Sequence, residues 1–200
     1  MDIIKLKGLS YASNTYVIIS GTDAAVVDPS VDVKEIINAL NGAKLRYILL
    51  THGHFDHILK LDALRCETKA EICIYADDAE MLTDPELNAS EFFGLDLVSL
   101  GADRALCDGE ILQLGREIIE VIHTPGHTPG SVCYDCGYDL VCGDTLFTSG
   151  YGRYDLHGGD VRTLSRSLHS LKNYDQSLLI YPGHGDSTTL GQALRNIGII

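Results

Sequence analysis

Short apolar runs bounded by glycine or proline dominate the first half of the chain, and many of them are rich in β-branched residues. Such runs are typical of buried β-strands. Strands are predicted over four of them, at residues 16–20, 24–28, 47–51 and 72–75. Between them, apolar residues recur at helical spacing over 33–40 and 58–64, and Gly42 marks the end of the first predicted helix.

The second half of the chain shows the same two periodicities. Strands are predicted at residues 111–114, 118–122, 131–134, 139–142 and 178–181. Helices are predicted at residues 161–171 and 190–197, with shorter helical pieces around 79–82 and 90–93. Strands interspersed with helices predict an α/β fold in which sheets are covered by helices.

Length and charge narrow the class of protein. A chain of 200 residues suits one domain, spanning 1–200. No apolar run reaches the roughly 20 residues of a membrane helix, and the N-terminus lacks the pattern of a signal peptide. A cytoplasmic protein without a membrane partner is therefore expected. The 28 acidic residues outnumber the 15 Lys and Arg, which disfavours a nucleic-acid partner.

Two of the six cysteines, Cys133 and Cys136, form a single C-x-x-C motif. A zinc ribbon needs a second such pair at suitable spacing, and the sequence has none. We expect both residues to be buried free thiols, and a redox or regulatory role is the alternative.

The segment Thr51-His-Gly-His-Phe-Asp-His carries the strongest chemical signal. It follows a predicted buried strand and contains His52, His54, Asp56 and His57. In an extended loop, His52 and His54 are two residues apart and point the same way. Loops held by a rigid scaffold are where binding and catalytic residues concentrate.

Three further segments place a potential ligand just after a strand. They contain His127 in T-P-G-H-T-P-G, Asp144 in C-G-D-T and His184 in Y-P-G-H-G. Imidazole and carboxylate ligands without thiolates suit Zn, Fe, Mn or Co. The seven residues are too many for one ion, but they suit two divalent metal ions, with Zn²⁺ the first choice, that share a bridging carboxylate.

These motifs together resemble the metallo-β-lactamase superfamily, and within it the short, single-domain members of the glyoxalase II-like branch. The resemblance covers essentially the whole chain and implies an αββα sandwich, with two central mixed sheets flanked by helices. It also implies the ligand sets of two metal sites. The first is His52, His54 and His127, the second is Asp56, His57 and His184, and Asp144 is the bridge.

The resemblance further implies a dinuclear hydrolase of hydroxyacylglutathione-type thioesters, with a metal-bridging hydroxide as nucleophile and Asp56 and Asp144 as catalytic carboxylates. The substrate is expected to be a small, anionic acyl-thioester. One alternative is a mononuclear-iron persulfide dioxygenase that uses only His52, His127 and Asp144. Lactone hydrolysis and a non-catalytic binding module are the others.

Substrate contacts are predicted at Arg153 and Tyr154, in the segment G-Y-G-R-Y-D. A guanidinium can bind a substrate carboxylate with two parallel hydrogen bonds. The alternative is a structural role, in which Arg153 pairs with Asp155 or Asp160 and holds the loop in shape.

Overall fold

The computed structural model describes residues 1–200 and contains twelve β-strands and four α-helices. The strands are β1 (Asp2–Leu6), β2 (Thr15–Ser20), β3 (Asp23–Val27), β4 (Lys44–Leu49), β5 (Glu71–Tyr75), β6 (Arg104–Leu106), β7 (Ile111–Leu114), β8 (Glu117–His123), β9 (Val132–Asp135), β10 (Asp139–Gly143), β11 (Leu179–Pro182) and β12 (Thr188–Thr189). The helices are α1 (Val33–Ala39), α2 (Leu61–Thr68), α3 (Val161–Ser170) and α4 (Leu190–Asn196).

The strands form two mixed six-stranded sheets. The first has the order β1-β2-β3-β4-β5-β6, and the second has the order β12-β11-β10-β9-β8-β7. In the first sheet β3 to β6 run parallel, whereas in the second only β10 and β11 do so. Parallel neighbours end at the same edge of a sheet, so the loops that follow β3, β4, β10 and β11 lie close together.

The two sheets pack face to face over a common apolar core. Along β2, Tyr16 and Ile18 belong to this inner core, whereas Val17 faces the opposite side. The second sheet contributes Val121 and Tyr134 to the same core. Because successive side chains of a strand point to opposite faces, both faces of each sheet need a cover.

Helices cover the two outer faces. Ile36 of α1 and Leu64 of α2 pack on the first sheet, and Leu164 of α3 and Leu194 of α4 pack on the second. The predicted αββα sandwich with two mixed central sheets is therefore confirmed.

Every strand predicted from the pattern is present, but the pattern missed β1, β6 and β12, which are short or lie at sheet edges. The helix predicted over 58–64 is shifted. A short 3-10 helix occupies Phe55–His57, and α2 begins only at Leu61. The apolar spacing of this segment does not distinguish the two helix types. No helix is both long and apolar enough to cross a membrane.

Candidate metal centre

The loops that follow the central strands bring the seven predicted ligands to one edge of the sandwich. The segment after β4 carries four of them, and the β8–β9 loop carries His127. Asp144 follows β10 directly, and His184 follows β11. Three overlapping groups of three of these residues have ligand atoms within 4.8 Å of one another.

The first group consists of three buried imidazoles. The Nε2 atom of His127 lies 3.1 Å from His52 Nε2 and 3.0 Å from His54 Nδ1. His127 Nδ1 donates a hydrogen bond of 2.6 Å to the carbonyl oxygen of Arg153. That bond occupies the Nδ1 proton and turns the Nε2 lone pair of His127 toward the other two rings.

The second group combines one carboxylate with two imidazoles. Asp56 Oδ2 lies 3.1 Å from His184 Nε2 and 3.8 Å from His57 Nε2. Asp144 lies between the two groups: its Oδ1 is 3.4 Å from His57 Nε2, and its Oδ2 is 3.8 Å from the Nε2 atoms of both His127 and His184. The two oxygens of one carboxylate thus face both groups.

Two buried ligand atoms, His57 Nε2 and Asp144 Oδ1, have no hydrogen-bond partner within the protein. Buried polar atoms are nearly always paired, and an unpaired one calls for an explanation such as a bound ion. Because imidazole nitrogens and carboxylate oxygens are ligands of divalent transition metals, the residues present fit a metal centre.

The electrostatics of the two groups differ. Burial, reinforced by neighbouring imidazoles, lowers the pKa of His54 to about 3 and lowers the pKa of His52 well below its ordinary value. Burial also acts to lower the pKa of His57, but the facing carboxylates, Asp28 foremost, outweigh it and raise that pKa. Burial opposes ionisation of Asp144, yet His57 holds the pKa of that carboxyl well below its usual range. His52 and His54 of the first group therefore offer neutral imidazoles, and the second group attracts positive charge.

Asp28 is a residue of the site that the sequence reasoning missed. It is buried and follows β3, and its carboxylate accepts hydrogen bonds from Thr51 N (2.8 Å), Thr51 Oγ1 (2.7 Å) and His57 Nδ1 (2.8 Å). Thr51 Oγ1 in turn lies 3.1 Å from His52 Nδ1. Asp28 therefore orients one imidazole of each group. Its position directly after a strand, like that of Asp144, was the available signal.

Asp78 is a second missed residue, and it joins the loops that carry the first group. Its buried carboxylate accepts hydrogen bonds from Gly53 N (3.0 Å), Thr128 Oγ1 (2.6 Å) and Gly130 N (2.6 Å). Gly53 stands between His52 and His54, so this one carboxylate ties their loop to the loop of His127. Asp78 lies in a polar stretch with no distinguishing motif, and only the tertiary contacts show its role.

A cavity of about 180 Å³ opens onto both groups. Its lining consists of metal-type residues, apolar side chains and one cation, namely His54, Asp56, His127, Asp144, His184, Tyr11, Phe55, Ala89, Phe93, Leu156 and Arg153. The guanidinium of Arg153 is paired with Asp155 through bonds of 2.7 and 3.0 Å. Tyr154 is 42% exposed and lies outside this lining.

The two cysteines of the C-x-x-C motif are buried free thiols, as expected, and belong to none of the ligand groups. Cys133 faces the outer core of the second sheet, and Cys136 faces the core between the sheets. Burial raises the pKa of Cys133 to about 11 and that of Cys136 to about 12. Both therefore remain protonated thiols near neutral pH.

An αββα sandwich with histidine and carboxylate side chains gathered at one edge defines a class of metal-dependent enzymes. The profile of the metallo-beta-lactamase superfamily matches residues 10–184, so the chain belongs to that superfamily. Within it, the chain is a metal-dependent hydrolase, and its relatives agree with a place in the glyoxalase II-like branch.

Two curated relatives support this placement. The probable metallo-hydrolase YqgX of Bacillus subtilis is 37% identical, over 88% of this chain and 86% of the relative. The hydroxyacylglutathione hydrolase GloC of Haemophilus influenzae is 33% identical, over 87% and 85%. Among solved structures, the BLEG-1 B3 metallo-beta-lactamase superposes with a TM-score of 0.90 at 33% identity, covering 97% of both chains. TTHA1623 in a di-iron-bound form superposes with a TM-score of 0.84 at 30% identity, covering 98% of both.

Proposed function

We propose that this protein hydrolyses acyl thioesters of the hydroxyacylglutathione type at a centre of two divalent metal ions, with Zn²⁺ favoured over Fe or Mn. The observation that carries the proposal is the position of Asp144, whose two carboxylate oxygens face two separate groups of ligands. The similarity to a hydroxyacylglutathione hydrolase supports the choice of substrate.

In this reaction the oxygen of water adds to the thioester carbonyl carbon, the carbon–sulfur bond breaks, and a carboxylic acid and a thiol leave. Two bound metal ions would supply an activated water and a Lewis acid for the carbonyl oxygen. His52, His54 and His127 would hold one ion and Asp56, His57 and His184 the other, with Asp144 shared.

Asp56 is positioned to accept the proton that the attacking water loses. It lines the cavity, and although burial acts to raise its pKa, the neighbouring imidazoles of His57 and His184 lower it overall. Asp56 is therefore ionised at neutral pH and can accept a proton from the attacking water. A thiol ionises near pH 8.5, so the leaving group needs little help from an acid.

Metal analysis combined with a substrate panel tests the proposal. Protein purified without added metal should contain about two ions per chain and should release free thiol from lactoylglutathione. The panel also contains a lactone and glutathione persulfide. About one iron per chain, with oxygen consumed on the persulfide and no thioester cleaved, would show that the protein is a dioxygenase instead.

Replacing Arg153 with alanine should lower kcat/KM for anionic thioesters about tenfold relative to neutral ones, as expected when a charge-assisted hydrogen bond is lost. Arg153 lines the cavity, and its partner Asp155 is exposed. An exposed ion pair contributes only about 0–1 kcal/mol, so a substrate carboxylate can take the place of Asp155. Metal content and melting temperature should stay the same. Substrate contact by Tyr154 is a weaker proposal, because its ring lies outside the lining.

The variant Asp155→Ala is the matched control, because it frees the guanidinium without removing it. It should keep or increase the preference for anionic thioesters. If Arg153→Ala instead lowers the melting temperature and leaves the anionic-to-neutral preference unchanged, Arg153 has the structural role and does not bind substrate.

A further inference from the structure

An aromatic wall lines the same cavity as the metal-type residues. We use this name for Tyr11, Phe55 and Phe93, which line the cavity with Ala89 and Leu156. The ring centroids of Phe55 and Phe93 are 5.1 Å apart, and those of Tyr11 and Phe93 are 6.2 Å apart. Three distant segments of the chain thus place their rings against one another beside the candidate centre.

Hydrogen bonds of the backbone and of the Asn88 side chain connect the segments of Phe55 and Phe93. Phe55 lies inside the His54–Asp56 segment, and its N–H donates to Asn88 O at 3.0 Å. Asn88 Oδ1 accepts from Ser90 N at 2.9 Å, and Ser90 O accepts from Phe93 N at 3.0 Å. These consecutive hydrogen bonds therefore fix the position of Phe93 relative to the metal-type residues.

The hydrolytic chemistry does not account for these rings. Tyr11 is 67% exposed and Phe93 is 41% exposed, so neither ring is there to fill the core. Apolar surface beside a polar site is typical of the part of a pocket that binds the non-reacting portion of a ligand. The cavity holds about 180 Å³, and an apolar cavity of about 150 Å³ is large enough to bind benzene.

We propose that the acyl group of the substrate carries an aromatic or branched apolar side chain, which packs on the aromatic wall while the thioester carbonyl lies at the metal-type residues. This inference rests on the proposed thioester hydrolysis and adds the chemical class of the acyl group. The aromatic wall carries no charged side chain, so it suits an apolar acyl group. Arg153, the only Lys or Arg of the cavity lining, remains available to bind the charged part of the thiol that carries the acyl group.

A comparison of two glutathione thioesters measures the effect of the acyl group alone. Lactoylglutathione and mandeloylglutathione are both 2-hydroxyacyl esters of the same thiol, and they differ in a methyl against a phenyl group. The carrier and its charges are therefore identical. We expect kcat/KM to be at least about tenfold higher for the mandeloyl ester, since apolar pocket contacts of this size discriminate about 10–200-fold. The product mandelate should likewise bind at least about tenfold more tightly than lactate in calorimetry.

The outcomes separate the two proposals. Cleavage of neither ester would overturn the thioester hydrolysis proposed above. Cleavage of both, with equal or better kcat/KM for the lactoyl ester, would overturn the acyl-group assignment alone. The same holds if mandelate binds no more tightly than lactate.

Variants of the aromatic wall test whether its rings cause the preference for the mandeloyl ester. Phe93→Ala and Tyr11→Ala should each reduce the mandeloyl-to-lactoyl ratio of kcat/KM to below about 3, because the phenyl contact is lost. Leu95→Ala is the matched control: Leu95 is 47% exposed on the same segment but lies outside the cavity lining. It should keep the wild-type ratio. If Phe93→Ala is unstable in melting curves, Tyr11→Ala decides alone, since its side chain is mostly in solvent. An unchanged ratio in a folded variant would overturn the assignment.

Discussion

Replacing Asp144 with alanine should strip at least one metal ion and lower kcat for thioester hydrolysis by about a thousandfold or more. The carboxylate faces both groups of ligands, so its removal takes away the one negative charge that they share. Metal ions contribute several kcal/mol to stabilising developing charge in a transition state, and about 4 kcal/mol corresponds to a thousandfold in rate. Metal content by mass spectrometry and turnover of lactoylglutathione provide the two measurements.

Asp186→Ala is the control for this experiment. Asp186 lies two residues after His184, but its side chain is 92% exposed, lies 3.8 Å from Lys5 Nζ and belongs to none of the ligand groups. This variant should keep both ions and full activity. If Asp144→Ala also kept both ions and most of its activity, Asp144 would not be the shared ligand.

Replacing Gly183 with alanine should disrupt the same centre by steric overlap. A Cβ atom at this position would lie 2.1 Å from Asp144 Oδ1 and 2.7 Å from His57 Cε1. The backbone cannot retreat easily, because Gly183 N donates to Gly143 O at 2.8 Å and Gly183 O accepts from Asn14 N at 2.7 Å. We expect a stability loss of about 1–3 kcal/mol, a melting temperature lowered by about 2–10 °C, and activity reduced about a hundredfold because the ligands are displaced.

Gly101→Ala is the matched substitution without the overlap. No atom lies within 4 Å of a Cβ built on Gly101, and its backbone conformation is open to other residues. Melting temperature, metal content and activity should match those of the unmodified protein. Normal metal content and turnover in Gly183→Ala would show that the site tolerates the added methyl group, which contradicts the geometry described here.

Local patterns in the sequence were enough to predict most of the strands and helices. The alternation and length of apolar runs depend on neighbours along the chain, and they identified nine of the strands and the four helices, one with shifted bounds. The missed strands β1, β6 and β12 lie at sheet edges, and β6 and β12 have only three and two residues. Segments of this kind have too few buried positions to show a period of two.

The candidate ligands were also predictable, because each lies in a short motif directly after a strand, where local residue types carry the signal. Their grouping depends on distances between loops that are far apart in sequence, such as the 3.1 Å between His52 and His127. The same is true of the contacts by which the carboxylates of Asp28 and Asp78 orient the ligand loops.

The sequence by itself determined an α/β fold of sheets covered by helices and the kind of chemistry, since apolar periodicity and ligand type are local properties. The αββα arrangement was implied by the resemblance of its motifs to a known superfamily. Only the tertiary structure decided which nitrogen atoms face inward, that Arg153 pairs with Asp155, and that Tyr11 and Phe93 stand beside the ligands. The pairing of Arg153 was one of two alternatives that the sequence left open. The other features arise from packing between segments far apart along the chain, such as those of Tyr11 and Phe93, and a one-dimensional pattern carries no record of such contacts.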